Sequence, residues 1–377
     1  MIRTYGTRHL VAGVESRLEI GRLVRFPTPV QRQEYNPAVH RLALITAAAT
    51  FPLIFMGGLV TSHQAGMSVP DWPNSWGYNM FTFPPSKWVG GILFEHTHRL
   101  AGAFVGFLTI LLAIAAWKTD RRPWVRWTAV AVLLAVCVQG TIGGLRVVLS
   151  QRDLAIVHGI AAQLFFCFIA AFCVMTSRFW TERKNIDPSP AIRNVLHLSL
   201  LSVAIILAQL IVGAIMRHSD AGLAIPDFPT SYGRLFPPTQ IDDAFRLEVI
   251  HRFGANLGLN RVTLFQIWIH FAHRIGAAPV TISVIALAAT ILRRLRGQRA
   301  FTRPACAILA LLAIQVTLGI LTVLLRKPAD IASAHVAVGA LLLMTTWVIA
   351  MRAIGVVRTA TPRDLAESGV QYAAANE

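Results

Sequence analysis

Eight runs of apolar residues, each long enough to cross a bilayer as a helix, constrain this chain more than any motif in it. They fall at 41–62, 93–117, 125–146, 154–177, 194–216, 264–292, 304–325 and 331–352, and a hydrocarbon core of about 30 Å takes roughly 20 helical residues to span. With 55% of its 377 residues hydrophobic, 14% charged and a mean hydropathy of +0.56, the chain is too apolar for a water-soluble protein of this length. The expected fold is an all-α integral membrane protein with eight transmembrane helices.

Charge orients those helices, because Lys and Arg in short loops resist translocation. With the amino terminus inside, 23 of the 35 basic residues fall in the tails and loops on that side. The net charge of +17 is then a topology signal and an attraction to anionic membrane lipid, with no nucleic-acid partner expected. Both termini are placed in the cytoplasm. Residues 1–40 are basic but carry Glu15, Glu19 and Glu34 and no apolar core, so they read as a cytoplasmic tail and not as a cleaved signal. Residues 178–193, with Pro188 and Pro190, read as a linker, and 353–377 as a second polar tail. Cys137, Cys167, Cys173 and Cys306 all fall within spans and read as small buried hydrophobes.

The chain says much of this twice. Ala65-Gly66-Met67, Pro70-Asp71-Trp72-Pro73, Gly77 and Phe83-Pro84-Pro85 return as Ala221-Gly222-Leu223, Pro226-Asp227-Phe228-Pro229, Gly233 and Phe236-Pro237-Pro238. His98-Arg99 returns as His273-Arg274, Gln139-x-Thr141-x-Gly143 as Gln315-x-Thr317-x-Gly319, and Asp153-x4-His158 as Asp330-x4-His335. Four spans per half bring the chain back to its starting side. The halves, 41–177 and 194–352, are therefore expected as two four-helix bundles related by a pseudo-twofold axis along the membrane normal.

Each half places two histidines near the outer starts of its second and fourth spans. Polar rings inside a bilayer are costly unless paired or coordinating, so His98, His158, His273 and His335 read as metal ligands. Two imidazoles per bundle are too few for zinc, which wants a compact tetrahedral set, but suit heme iron with its propionates toward the polar interface. Arg99 and Arg274, next to their histidines, are candidates for those propionates or for lipid phosphate. The proline-rich loops read as stiff lids over the histidine ends, and 239–262 as a short amphipathic surface helix. One difference stands out: Glu95, on one helix face with His98, has no carboxylate counterpart in His270-Phe271-Ala272-His273-Arg274. A carboxylate in an apolar setting beside a heme edge can accept or relay protons, which points to one reactive and one cofactor half.

Gly57-Gly58-x-Val60-Thr61-Ser62, Ala65 to Pro73, Glu95-x-x-His98-Arg99 and the later His158, His273 and His335 together resemble the heme A synthase family, the cytochrome oxidase assembly factors that make heme A from heme O. The resemblance runs from about 41 to 352. It implies heme b held in the carboxy-terminal half by His273 and His335. It also implies that heme O, the substrate, is received between His98 and His158 with Glu95 near the ring methyl, and that this methyl is hydroxylated successively and dehydrated to a formyl group. Heme O synthase, the oxidase assembly machinery and an electron donor are the implied partners, and a homo-oligomer is allowed. The chain lacks a cysteine pair that some members carry in an outer loop, and His96 beside the motif is an additional ligand or proton-carrier candidate. The alternative reading is a membrane cytochrome b that only transfers electrons through bis-histidine hemes; a transporter built from parallel repeats would more naturally use broken helices near the midplane.

Overall fold

The computed structural model describes residues 34–151, 153–182, 189–254 and 261–358. Among them are ten α-helices: α1 (Pro37–Ser62), α2 (Gly91–Thr119), α3 (Pro123–Val148), α4 (Asp153–Thr176), α5 (Arg178–Thr181), α6 (Pro190–His218), α7 (Asp243–Phe253), α8 (Leu264–Arg294), α9 (Arg299–Leu324) and α10 (Ala329–Arg358). All but α5 and α7 are long and apolar enough to cross a membrane, and the described residues hold no strand. The protein is an all-helical, multi-pass membrane protein. Residues 1–33 and 359–377 of the expected tails, and 183–188 of the expected linker, lie outside the described residues.

Local chemistry sets the helix ends. The Asn36 side chain accepts the N–H groups of Ala38 and Val39 at 3.1 and 3.2 Å, and Pro37 fills the first helical position, where a missing N–H costs nothing. Pro123 and Pro190 open α3 and α6 in the same way. Thr263 and Gln266 cap α8 reciprocally. At the tight α2–α3 corner Asp120 is buried and takes Arg122 Nε at 2.9 Å and Nη2 at 2.7 Å. Because the helices are apolar on every side, large side chains such as Phe104, Phe107, Ile110 and Ile114 of α2 are exposed, as lipid-facing residues must be. Cys137 and Cys306 are exposed on α3 and α9 in the same way, so only Cys167 and Cys173 are the buried hydrophobes expected of all four; all are free thiols.

In the first half α1 packs on α2 and α4, and α3 closes the ring by packing on both. In the second, α6 packs on α8 and α10, and α9 closes the ring. The halves meet where α1 lies on α10, α4 on α6 and α4 on α10. Half of the most apolar window of α10 is buried, against 17–39% for the other seven spans, because α10 touches both halves. Gly58 of α1 makes the close approach possible, since a side chain there would meet Ser333 Cβ at 2.9 Å.

The apolar cores gather toward one end. Val39, Ala43, Leu112, Val125 and Phe172 anchor one, and Ile192, Ile291, Phe301 and Ile349 the other. Toward the opposite end, where the loops 63–90 and 219–263 lie, full burial ceases over 97–104 and 133–143, and over 271–279 and 313–322. Packing is thus tightest at the end away from the histidines and looser along the helix segments that carry and face them. The stretch expected as an amphipathic helix contains α7, which buries Val249 and packs Phe245 against Tyr232 with ring centres 5.0 Å apart.

Candidate functional site

His98, His158, His273 and His335 lie within the first three turns of α2, α4, α8 and α10. They come together in pairs. The His98 and His158 ring centres are 6.4 Å apart with planes at 87°, and those of His273 and His335 are 6.3 Å apart at 76°. Imidazoles on opposite faces of one metal, with bonds of about 2 Å, hold their centres at about 6 Å, so both pairs have the spacing a shared iron requires. Among the described residues no three His, Cys, Asp or Glu gather as a metal site. The donor set in each half is two imidazoles, which fits a heme and does not fit zinc.

A glycine on the neighbouring helix makes room for each ring. A side chain at Gly57, Gly143 or Gly213 would meet Cε1 of His98, His158 or His273 at 3.1, 2.9 and 2.8 Å, and one at Gly319 would meet Cε1 of His335 at 3.0 Å. Four glycines at repeated positions thus form four sockets of one design. Polar groups flank each ring. Gln209 Nε2 reaches His273 Nδ1 at 3.1 Å and the His273 carbonyl at 2.7 Å. His335 Nδ1 lies 3.1 Å from the Gln315 carbonyl, and Gln315 Nε2 is 3.4 Å from His335 Nε2. In the first half Gln139 Nε2 donates to the His158 carbonyl at 2.7 Å, and the backbones of Leu53 and Gln139 lie beside the His98 and His158 rings as those of Gln209 and Gln315 lie beside His273 and His335.

Each proline-rich loop is tied to the helix that carries the first histidine of its pair. Arg99 donates to the carbonyls of Asp71 (2.6 Å), Asn74 (2.9 Å) and Val69 (2.7 Å) and to Glu95 (2.9 Å). Arg274 donates to the carbonyls of Thr230 and Ile225, both at 3.0 Å. Asp71 accepts the N–H groups of Trp76 and Gly77, each at 2.7 Å, and Asp227 those of Tyr232 and Gly233 at the same distance. Gly77 and Gly233 take φ of 76° and 75°, a region that favours glycine. The Trp72–Pro73 and Phe228–Pro229 bonds are both cis. For Asp71, partial burial raises the carboxyl, but the N–H groups of Gly77 and Trp76, its own backbone and the Arg99 charge outweigh this and hold it below the usual carboxylate range.

Glu95 is buried, accepting the Val69 N–H at 2.9 Å and pairing with Arg99. His270 occupies the matching place: its Nδ1 accepts the Ile225 N–H at 3.2 Å and its Nε2 faces Arg274 Nε at 3.1 Å. The half without the carboxylate therefore keeps the same contact through an imidazole. His96, two residues from His98 and so about 200° around the helix, is fully buried beneath the loop. It contacts Ser75 Oγ at 3.1 Å and packs against Phe83 and Trp88.

Sequence reasoning reached the paired histidines, Glu95 and the loops. It missed the sockets, Gln209, and two buried arginines, Arg146 and Arg217. Arg146 lies within electrostatic reach of His98 and His158 and donates to the Gly66 carbonyl at 2.8 Å, leaving Nε without a partner. Arg217 lies within reach of His335 and donates to Ser62 Oγ at 2.7 Å and to the Gly58 carbonyl. The repeated Gly57, Gly143, Gly213 and Gly319 were the available signal for the sockets.

Comparison with known proteins finds relatives along most of the chain. The chain is 28% identical over 259 residues to a protein of Shouchella clausii named heme A synthase, covering 67% of this chain and 83% of that one. It is 26% identical over 326 residues to a heme A synthase of Shewanella oneidensis, covering 81% and 93%. To one of Allorhizobium ampelinum it is 27% identical over 349 residues, covering 84% and 90%. Residues 78–347, which include both histidine pairs, the whole second loop and the end of the first, match the family described as cytochrome oxidase assembly protein, and the chain belongs to that family.

Proposed function

We propose that this protein is a heme A synthase, oxidising a ring methyl of heme O to the formyl group of heme A by successive hydroxylation and loss of water. The relatives that match most of its length carry that name, and the observation that carries the reading is the pair of facing imidazoles in each half at 6.4 and 6.3 Å. The amino-terminal bundle, 41–177, receives heme O between His98 and His158. The carboxy-terminal bundle, 194–352, holds heme b between His273 and His335. When bound there, heme b supplies one-electron chemistry. A pseudo-twofold axis along the membrane normal relates the bundles, supported by the reciprocal contacts of α1 with α10 and α6 with α4, the pattern an isologous interface produces.

Within this reading Glu95, His98 and His158 act on the substrate. The sockets fix the imidazole edges, the loops exclude water from the histidine ends, and Glu95 is held in place by Arg99 and the Val69 N–H. Arg99 and Arg274 act on bound heme by fixing the loops above it. Arg146 and Arg217, buried beside His158 and His335, suit the propionates. The protein sits in the cell inner membrane with both termini cytoplasmic, takes heme O from a heme O synthase, and passes its product to the oxidase assembly machinery.

Co-expression with a heme O synthase in a host lacking heme A tests the proposal. The expected result is an extracted heme with the mass change of methyl to formyl; unmodified heme O favours the cytochrome reading instead. His273→Ala or His335→Ala is expected to remove the low-spin heme spectrum of the purified protein. His98→Ala and His158→Ala are expected to keep that spectrum and form no heme A.

A further inference from the structure

Under the proposed function the two halves take different hemes, since heme O carries a long farnesyl chain where heme b has a vinyl group. The walls beside the two histidine pairs differ to match. In the second half a neighbour fills the place of the missing side chain at every glycine of the spanning helices: the histidine rings at Gly213 and Gly319, the Gln209 amide at Gly276, Gln315 and Leu210 at Gly339, and Trp180 at Gly355. In the first half a side chain at Gly102, Gly106, Gly140 or Gly159 would meet nothing within 4 Å. Three of these continue the histidine-bearing faces. At about 100° per residue, Gly102 and Gly106 lie about 40° and 80° around α2 from His98, and Gly140 about 60° around α3 from Gly143, the His158 socket. The lipid-exposed Phe104, Phe107, Ile110 and Ile114 lie about 120–180° from His98. In the register that pairs His98 with His273 and Gln139 with Gln315, the second half has Ala277, Thr281 and Val316 at the three open places, and Leu311 where the first has Ala135. Depth agrees as well. At about 1.5 Å per residue, Gly102 and Gly106 lie about 6 and 12 Å farther from the loop end than His98, and Gly140 about 4.5 Å farther than Gly143. A heme with its propionates at the loop end turns its vinyl-bearing edge that way. The imidazole pair, 6.4 Å apart, ties this open space to a heme, and unfilled apolar space is both destabilising and receptive to apolar ligands.

We propose that Gly102, Gly106 and Gly140 line the seat of the farnesyl chain of heme O and make the first half selective for the isoprenoid-bearing heme, while Thr281, Leu311 and Val316 close the same seat in the second half. This inference rests on the heme A synthase reading. Its test is titration of the full-length, detergent-solubilised protein, its second site already holding heme, with heme O and with heme b. The parent is expected to bind heme O between His98 and His158 about tenfold or more tightly than heme b, since one methylene in a fitted apolar pocket is worth about 10–200-fold. The double variant Gly106→Thr, Gly140→Val takes side chains that the second bundle carries at the same places. It is expected to keep the spectrum of the second heme and to bind heme b as the parent does. Its preference for heme O should vanish, and heme A yield should fall about tenfold or more. Equal affinity of the parent for both hemes, or a double variant that keeps the preference, would overturn the inference. So would a double variant that loses heme b along with heme O, because the glycines would then seat the macrocycle. Should the double variant fail to fold, the comparison of the two hemes in the parent decides. A parent that takes up no heme at His98 and His158 would instead defeat the underlying functional reading.

Discussion

Glu95 and its repeat partner His270 show how unlike side chains can fill one mechanical role. Each accepts a loop N–H, from Val69 or Ile225, and each meets the arginine four residues on. Anchoring the loop therefore needs an acceptor, not a charge; what only Glu95 adds is a carboxylate. Glu95→His should keep the loop as resistant to proteolysis as in the parent and leave the carboxy-terminal heme spectrum intact. It should lower heme A formation by about 100-fold or more, the usual loss when an acid–base group is removed. Parental heme A yield in Glu95→His would reduce Glu95 to a latch. Glu95→Ala should in addition destabilise the protein by about 1–3 kcal/mol, because it leaves the Val69 N–H without its acceptor. The histidines and Glu95 were legible in sequence because duplication exposes both what recurs and what does not. The arginine partners were not, since Asp71, Asn74 and Val69 receive Arg99 through backbone carbonyls that no sequence letter records.

The loops are the elements in which sequence and structure agree most closely. The recurring Pro-Asp-x-Pro segments predicted matching loops, and both loops repeat the same turn, with Trp76 and Tyr232 at φ of 51° and 58° ahead of their glycines. Asp71 holds its turn through two N–H groups, and its lowered pKa gives the linkage a definite sign. The ionised form is favoured in the folded loop, so its contribution is complete at neutral pH and is lost as acid carries the pH below about 4 and through the depressed value. Protection of the Trp76 and Gly77 amides against hydrogen exchange, relative to the intrinsic rate at each pH, should fall across that window, and Asp71→Asn should show lower protection at neutral pH with the acid step removed. An unchanged profile in the variant would show that the turn stands without the carboxylate. Helix positions were equally legible: the spans expected at 264–292 and 304–325 appear as Leu264–Arg294 and Arg299–Leu324. The residual shifts of a few residues arise where caps such as Pro37 and Pro190, just outside the apolar runs, recruit polar residues into a first turn.

At the scale of the whole molecule, the contact between halves is made of close helix approach and few polar bonds. Arg217 of α6 is the clearest of these, reaching Ser62 Oγ and the Gly58 carbonyl on α1. Arg217→Ala should weaken docking of the halves by about 1.5–3 kcal/mol, the usual worth of hydrogen bonds from a charged donor, read as a lower midpoint of thermal unfolding in detergent. An unchanged midpoint would assign the junction to packing alone. Sequence could not reveal this junction, because apolar periodicity in a lipid-embedded helix does not say which face meets protein and which meets lipid. The burial of α10 carries a consequence for biosynthesis. The amino-terminal four spans have all been made by Thr176, yet α1 and α4 both lean on a helix that begins only at Ala329. That half must wait in the bilayer, unsealed along one flank, until translation delivers its neighbour, so final closure around either pair of imidazoles follows the insertion of the other seven spans.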